Sequence, residues 1–241
     1  MGLYSEWIES KKILAQKLGE GALGASYAEG AIILCAAIST MSSLLWGPER
    51  GKDHRKFCET LKIFCHVEPH LMRVSSPLLA FHYQETKSLL GISEIPVYYD
   101  QDVDKSEEEL TKLFTERNII IPSKCIRKYS YINLLYKEVR NGFSHEYLVG
   151  ASASDYDPLR DHPFVSHRTQ SRIPKVSYVN KGVMLNKDSE MTRLFYFPLG
   201  WISFVAEKVA FGMDLECDRQ NKSARQNLDL TLPPQRWIDG V

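Results

Sequence analysis

An arginine, an asparagine and a histidine fall within six residues in the run Arg140-Asn141-Gly142-Phe143-Ser144-His145. A guanidinium offers a fork of donors that matches the non-bridging oxygens of a phosphate. An imidazole, whose unperturbed pKa is about 6.5, moves protons at neutral pH. A carboxamide can orient a phosphate or a ribose hydroxyl. Gathered at one point, the three suit phosphodiester cleavage in RNA. That substrate carries its own nucleophile, the 2′-hydroxyl, so the protein needs only proton transfer and stabilisation of charge on the phosphoryl oxygens. No metal and no cofactor are required. The plainer account of the same residues is a helix end whose histidine faces the negative pole of the dipole, and spacing alone does not separate the two.

Positioning depends on the preceding helix. The sequence predicts one from about Lys124 to Arg140, with Ile132, Leu135 and Val139 facing the core. If its geometry persists through the run, Asn141 and His145 are four apart and share a face. Arg140 points about 100° away from Asn141, within reach of the same spot because its side chain is long. Gly142 weakens the helix and lets backbone or ligand approach closely.

The other elements are mostly helical. Leu3, Trp7, Leu14 and Leu18 predict a helix over 3–18, and Gly19, Gly21 and Gly24 interrupt the pattern. The stretch from Tyr27 to Trp46 is apolar nearly all round, the mark of a central bundle helix. Phe57, Leu61 and Phe64 form the stripe of a helix over about 54–67. Pro77 opens a further helix through Leu79, Tyr83 and Leu90. Residues 92–125 read as an insertion, with an acidic helix start at Ser106-Glu107-Glu108-Glu109 and a brief strand or turn at Ile119–Ile121. Residues 150–172 read as a long polar loop. Val176–Val179 and Val183–Leu185, joined through Asn180-Lys181-Gly182, read as a small β-hairpin. A last helix runs from about Pro198 to Met213, ahead of a polar tail. The expected class is therefore mainly α, a helical bundle with a small β-hairpin before the last helix.

Composition narrows the function classes. The 241 residues carry 30 Lys+Arg and 30 Asp+Glu, which argues against a coat for nucleic acid but leaves room for a local basic groove. Five cysteines at irregular spacing make a disulfide framework a poor fit. The N-terminal residues lack the pattern of a signal peptide. The apolar stretch Ala31–Trp46, broken by serines and a threonine, is shorter than the roughly 20 residues of a membrane span. A cytoplasmic protein without a membrane partner is the expectation.

The run at 140–145 resembles the signature of the HEPN ribonucleases, in which Arg, four residues and His follow a core helix, commonly with Asn directly after the Arg. The helix around Ala31–Trp46, the Phe57–Phe64 helix, the Arg73–Leu79 turn and the hairpin followed by a helix are similar to a plasmid- and defence-associated branch. The resemblance covers about residues 25–215 and implies one HEPN-like domain over 1–241, with an insertion at 92–125 and a polar tail at 216–241. It further implies a dimer whose two motifs form one composite, metal-independent ribonuclease site. Arg140, Asn141 and His145 then carry catalysis. His145-Glu146-Tyr147 also matches an extended motif of two-gene toxin systems, where a partner antitoxin modifies the tyrosine. That match makes Tyr147 a modification site, while the residue taken by itself reads first as a buried or C-capping tyrosine. The insertion departs from the compact pattern of those toxins.

Four further features carry expectations. Arg160, Phe164, Arg168 and Arg172 interleave cations with a ring, which suits single-stranded RNA, and equally a solvated loop. Arg50, Lys52, Arg55 and Lys56 read as a solvated turn. Glu29 is either a carboxylate orienting Arg140 or His145, or a partner for its own helix N-terminus. Cys58, Cys65, His66 and His70 lie close together in sequence without the spacing of a zinc knuckle. The competing functional class is a non-catalytic, dimeric nucleotide- or RNA-binding module, and a structural interaction protein is a third.

Overall fold

In a computed structural model, the description covers residues 2–47, 53–91, 103–146, 148, 153, 162–171, 177–179, 182–184 and 189–222. The fold is mainly α. Helix α1 (Leu3–Gly19) lies against α2 (Tyr27–Trp46), and α3 (Asp53–Phe64) packs on the other side of α2. The last helix, α9 (Leu199–Gln220), packs against α1, α2 and α3. Helix α2 starts at a capping box: Ser26 N–H donates to Glu29 Oε2 at 2.7 Å, and Ala28 N–H donates to Ser26 Oγ at 3.2 Å. It stops at Gly47, whose φ of 76° an L side chain would resist. Leu34, Ile38, Met41 and Leu45 of α2 are fully buried, as expected of a central helix.

Helix α1 has no side-chain cap of its own. The buried carboxylate of Asp214, from α9, takes that role, accepting from Tyr4 N–H and Ser5 N–H at 2.9 Å each and from the Ser5 hydroxyl at 2.6 Å. A distant residue thus satisfies the open donors of a helix start. The core accordingly begins at α1 rather than near residue 25, and α9 extends to Gln220, beyond the Met213 expected from sequence.

A smaller second core stands beside the bundle. Strand β1 (Arg73–Val74) pairs antiparallel with β2 (Lys105–Ser106), and α4 (Ser76–His82), α5 (Glu107–Glu116) and α6 (Ser123–Arg127) gather Val74, Leu79, Leu110, Phe114 and Ile126 between them. The expected insertion is therefore one half of a unit whose other half begins at Arg73. Ser106 and Glu109 cap α5 as the acidic run suggested. Ile119–Ile121 forms no strand; Ile120 is 94% exposed, while Ile119 and Ile121 rest on the second core. Asp104, buried where the two cores meet, accepts from Ser76 N–H at 3.1 Å and from the Tyr131 hydroxyl at 2.6 Å.

The helix expected over 124–140 is two helices. After α6 the chain breaks at Lys128-Tyr129-Ser130, where the Ser130 side chain caps α7 (Tyr131–Leu134). Beyond α7 the helix does not end at Arg140. It widens into a π-helical turn, Leu135–Asn141, then tightens into α8 (Gly142–Glu146). Its buried side faces α2 and α3 through Leu135, Val139 and Phe143.

Part of the expected polar loop is strand. β3 (Phe164–Ser171) pairs antiparallel with β6 (Ser189–Tyr196), with Phe164 opposite Tyr196 and Arg168 opposite Thr192. Between them in sequence, β4 (Ser177–Val179) pairs with β5 (Gly182–Met184), the small hairpin. Phe195 and Phe197 then enter the main core, their rings edge-on to Tyr131. The Tyr27 hydroxyl donates to the Phe197 carbonyl at 2.7 Å.

By length and composition the 20-residue α2 is long and apolar enough to cross a bilayer, with a mean hydropathy of 1.6 over an 18-residue window. Here its apolar surface is the centre of the bundle.

Candidate functional site

The π turn sets the geometry of the motif. Its hydrogen bonds run i→i+5 instead of i→i+4, and such turns concentrate at functional sites. In an α-helix, residues five apart point about 140° away from each other. The wider turn brings Asn141 round toward the face of Tyr136, and Arg140 stays with it. The Arg140 guanidinium carbon sits 5.1 Å from the centre of the Tyr136 ring, and Arg140 Nη1 donates to Asn141 Oδ1 at 2.8 Å. The guanidinium also faces α2: burial pushes the Cys35 thiol up to about 12, with Arg140 as the opposing influence. Burial likewise raises the Tyr136 hydroxyl, with Arg140 opposing and Asp53 and Cys58 reinforcing.

Arg140 and Asn141 are therefore together, both half-buried. His145 is less enclosed. It is exposed on α8, one turn past Asn141, and among the described residues no hydrogen bond or ring contact joins it to either. Phe143 between them is buried and edge-on to Tyr27 at 5.8 Å, which fixes the rotation of α8.

Asn141 opens onto a cleft of about 640 Å³ at the seam between the two cores. The bundle side supplies Asn133, Tyr136 and Lys137 from the motif helix and His54 from the first turn of α3. The second core supplies His82 at the end of α4, with Lys128 and Tyr129 from the break before α7. His54 and Tyr136 rings lie 4.6 Å apart, and His82 stacks on Tyr129 at 5.3 Å. Asn133 Nδ2 donates to the Lys128 carbonyl at 2.6 Å, which fixes its amide and leaves Oδ1 facing His54 Nε2 at 2.5 Å. A carboxamide oxygen only accepts, so His54 Nε2 is the donor of this bond.

Sequence reading missed these cleft residues, and one signal was available. Asn133, Lys137 and Asn141 recur at i, i+4 and i+8, a polar stripe beside the apolar face of the helix. Nothing in the sequence brings His54 or His82 to that stripe.

Glu29 serves its own helix: the capping hydrogen bonds with Ser26 hold its carboxyl below the usual range. Arg160, Arg172 and Tyr147 lie outside the described residues. Phe164 and Arg168 lie on β3, so the proposed RNA-binding loop is strand at those two positions. Cys58 and Cys65 are buried, His66 bonds the Ile63 carbonyl, and His70 stacks on His162. Among the described residues, no three His, Cys, Asp or Glu side chains gather as a metal site would need. Comparison with models of protein families, with curated proteins and with solved structures finds no match.

Proposed function

We propose that the protein is a metal-independent endoribonuclease, built on a HEPN-like helical bundle and working as a homodimer on single-stranded RNA. The observation that carries this reading is the Arg140–Asn141 pair, set by a π turn at the edge of a cleft. Arg140 stabilises charge on the phosphoryl oxygens, since a hydrogen bond to Asn141 leaves other donors of its fork available. Asn141 positions the phosphate or the ribose hydroxyl. His145, exposed one turn away, acts as general acid or base across the interface with the second subunit, where the two motifs make one composite site. The 2′-hydroxyl attacks the adjacent phosphate, leaving a 2′,3′-cyclic phosphate and a free 5′-hydroxyl. The resemblance supplies the setting: a cytoplasmic bacterial toxin or defence effector, with Tyr147 as the place where a partner antitoxin acts.

The test is cleavage of RNA in EDTA, with the fragment ends identified chemically. Wild type yields cyclic phosphate ends, while His145→Ala and Arg140→Ala yield little product. Equal cleavage by all three removes the reading.

A second reading, a dimeric module that binds a nucleotide or RNA without turning it over, draws on a specific observation: His145 stands outside the cleft that Asn141 lines. Tight binding of RNA by wild type with no product in any condition selects it.

A further inference from the structure

The chain as a whole is electrically balanced, with 30 cationic and 30 anionic residues. The cleft is not. Two lysines and two histidines line it, and no carboxylate is among its described lining residues. A local excess of cations within a neutral molecule marks a place for an anion. Beside the cleft, Glu138 Oε1 lies 3.5 Å from Lys137 Nζ with its own side chain largely buried, and Asp53 acts on Tyr136 from the start of α3. Lys128 and Lys137 are both exposed, so each ammonium can turn toward a ligand.

Size and lining narrow the anion further. A volume of about 640 Å³ greatly exceeds the space a bare phosphate occupies and falls within the roughly 300–1,000 Å³ of small-molecule sites. The exposed His82 ring, backed by Tyr129, and the half-buried His54 ring, backed by Tyr136, supply faces on which a flat heterocycle stacks. Asn141 offers a carboxamide for the edge of such a ring. The arrangement is also held in place. Asn133, 5% exposed, ties the Lys128 carbonyl to His54, so the second core, the motif helix and α3 are joined at the cleft floor.

We propose that this cleft is a nucleoside-phosphate site, its base against the His–Tyr pairs and its phosphate between Lys128 and Lys137. The inference rests on the RNA-directed reading for its longer ligand: a nucleotide of the substrate strand seated here would place the next phosphate at Asn141 and Arg140. A free nucleotide presents the same chemistry, and the experiment separates the two sources.

The full chain is titrated with AMP, with adenosine, with inorganic phosphate and with a 2′-O-methyl oligoribonucleotide that lacks the attacking hydroxyl. Binding is read by calorimetry at two salt concentrations. AMP or the oligomer binds, more tightly than adenosine or phosphate alone. The Lys128→Ala/Lys137→Ala double variant weakens it roughly tenfold or more and flattens its salt dependence. His82→Ala, also at an exposed position, weakens it while leaving thermal unfolding unchanged. Binding of AMP and not the oligomer assigns the site to a free nucleotide; oligomer binding that the cleft variants weaken, and that AMP displaces where AMP itself binds, assigns it to RNA. Undiminished binding in the double variant and in His82→Ala, or no binding of either ligand, overturns the inference. The nuclease reading stands or falls separately: loss of cleavage in His145→Ala with cleft variants that bind normally sinks only this inference. Binding that depends on the cleft, with no cleavage by any protein, sinks only the nuclease.

Discussion

The Arg140 guanidinium bonds the side chain of the very next residue, Asn141, at 2.8 Å while lying against the Tyr136 ring. Neighbouring residues on an α-helix diverge by about 100°, so both chains must lean toward the gap between them. The i→i+5 turn over Leu135–Asn141 makes that economical, because Tyr136 then has Arg140 and Asn141 on either side of its position one turn on.

The first prediction follows from that contact. Arg140→Lys keeps the charge but loses the planar fork that serves Asn141 and a phosphate together. Cleavage of RNA should fall roughly 100-fold, and Asn141→Ala should lower it roughly tenfold or more through lost positioning. Circular dichroism should show the helical content of both unchanged. Full activity in Arg140→Lys would show that charge alone suffices.

Glu29→Gln separates capping from catalysis. The capping bonds depress the folded-state carboxyl, so the stability it contributes is present above its unfolded pKa and is lost as pH falls through the lower folded one. The variant should therefore be slightly less stable than wild type at pH 7, match it in strong acid, and cleave RNA at the wild-type rate. Urea titrations at the two pH values measure the difference. A loss of activity without loss of stability would return Glu29 to the site.

The role of Asp214 predicts a larger effect far from the motif. Its carboxylate holds two backbone donors and one hydroxyl at the start of α1, and Asp214→Ala leaves those buried donors unpaired. The cost should be on the order of 2 kcal/mol, read as a shift in the urea midpoint at constant slope. A change below a few tenths would mean that water or another side chain replaces the cap.

Thiol chemistry gives a further check. Burial pushes Cys35 and Cys65 up to about 12. The native state then holds these protons more tightly than the unfolded chain. Their contribution to stability is full below the unfolded thiol pKa and fades as pH climbs toward the folded value. At pH 8 iodoacetamide should label Cys125, which is partly exposed, well before Cys35, Cys58 or Cys65, and mass spectrometry of the native protein follows the order. Rapid labelling of Cys35 would mean that the Arg140 side of α2 opens to solvent.

The sequence made the bundle legible where periodicity was strong, and less so where contacts are distant. The all-round apolar run of α2, the Ser106 start of α5 and the core-facing stripe ahead of Arg140 could be read from spacing, because each depends on neighbours within one or two turns; the break at Lys128-Tyr129-Ser130 could not. The second core was only half visible. Its halves, around Arg73–Leu90 and Lys105–Arg127, are joined through Asp104, and no local pattern announces a pairing that spans the chain between them. β3 was hidden for a similar reason: its polar residues read as loop, and only its partner β6 makes them a strand. Within the site, the types and order of Arg140, Asn141 and His145 were legible. The π turn that brings the first two together was not, because hydrogen-bond pitch leaves no mark on composition. Nor was the exposure of His145, on a short helix whose buried side is held by Phe143.

The rate of RNA cleavage in EDTA by wild type, Arg140→Ala and His145→Ala, measured on one substrate at equal protein concentration, tests the central claim most directly. The account predicts metal-free cleavage by wild type and a loss of at least roughly 100-fold in each variant. Equal rates in all three proteins, or no cleavage by wild type, would contradict it.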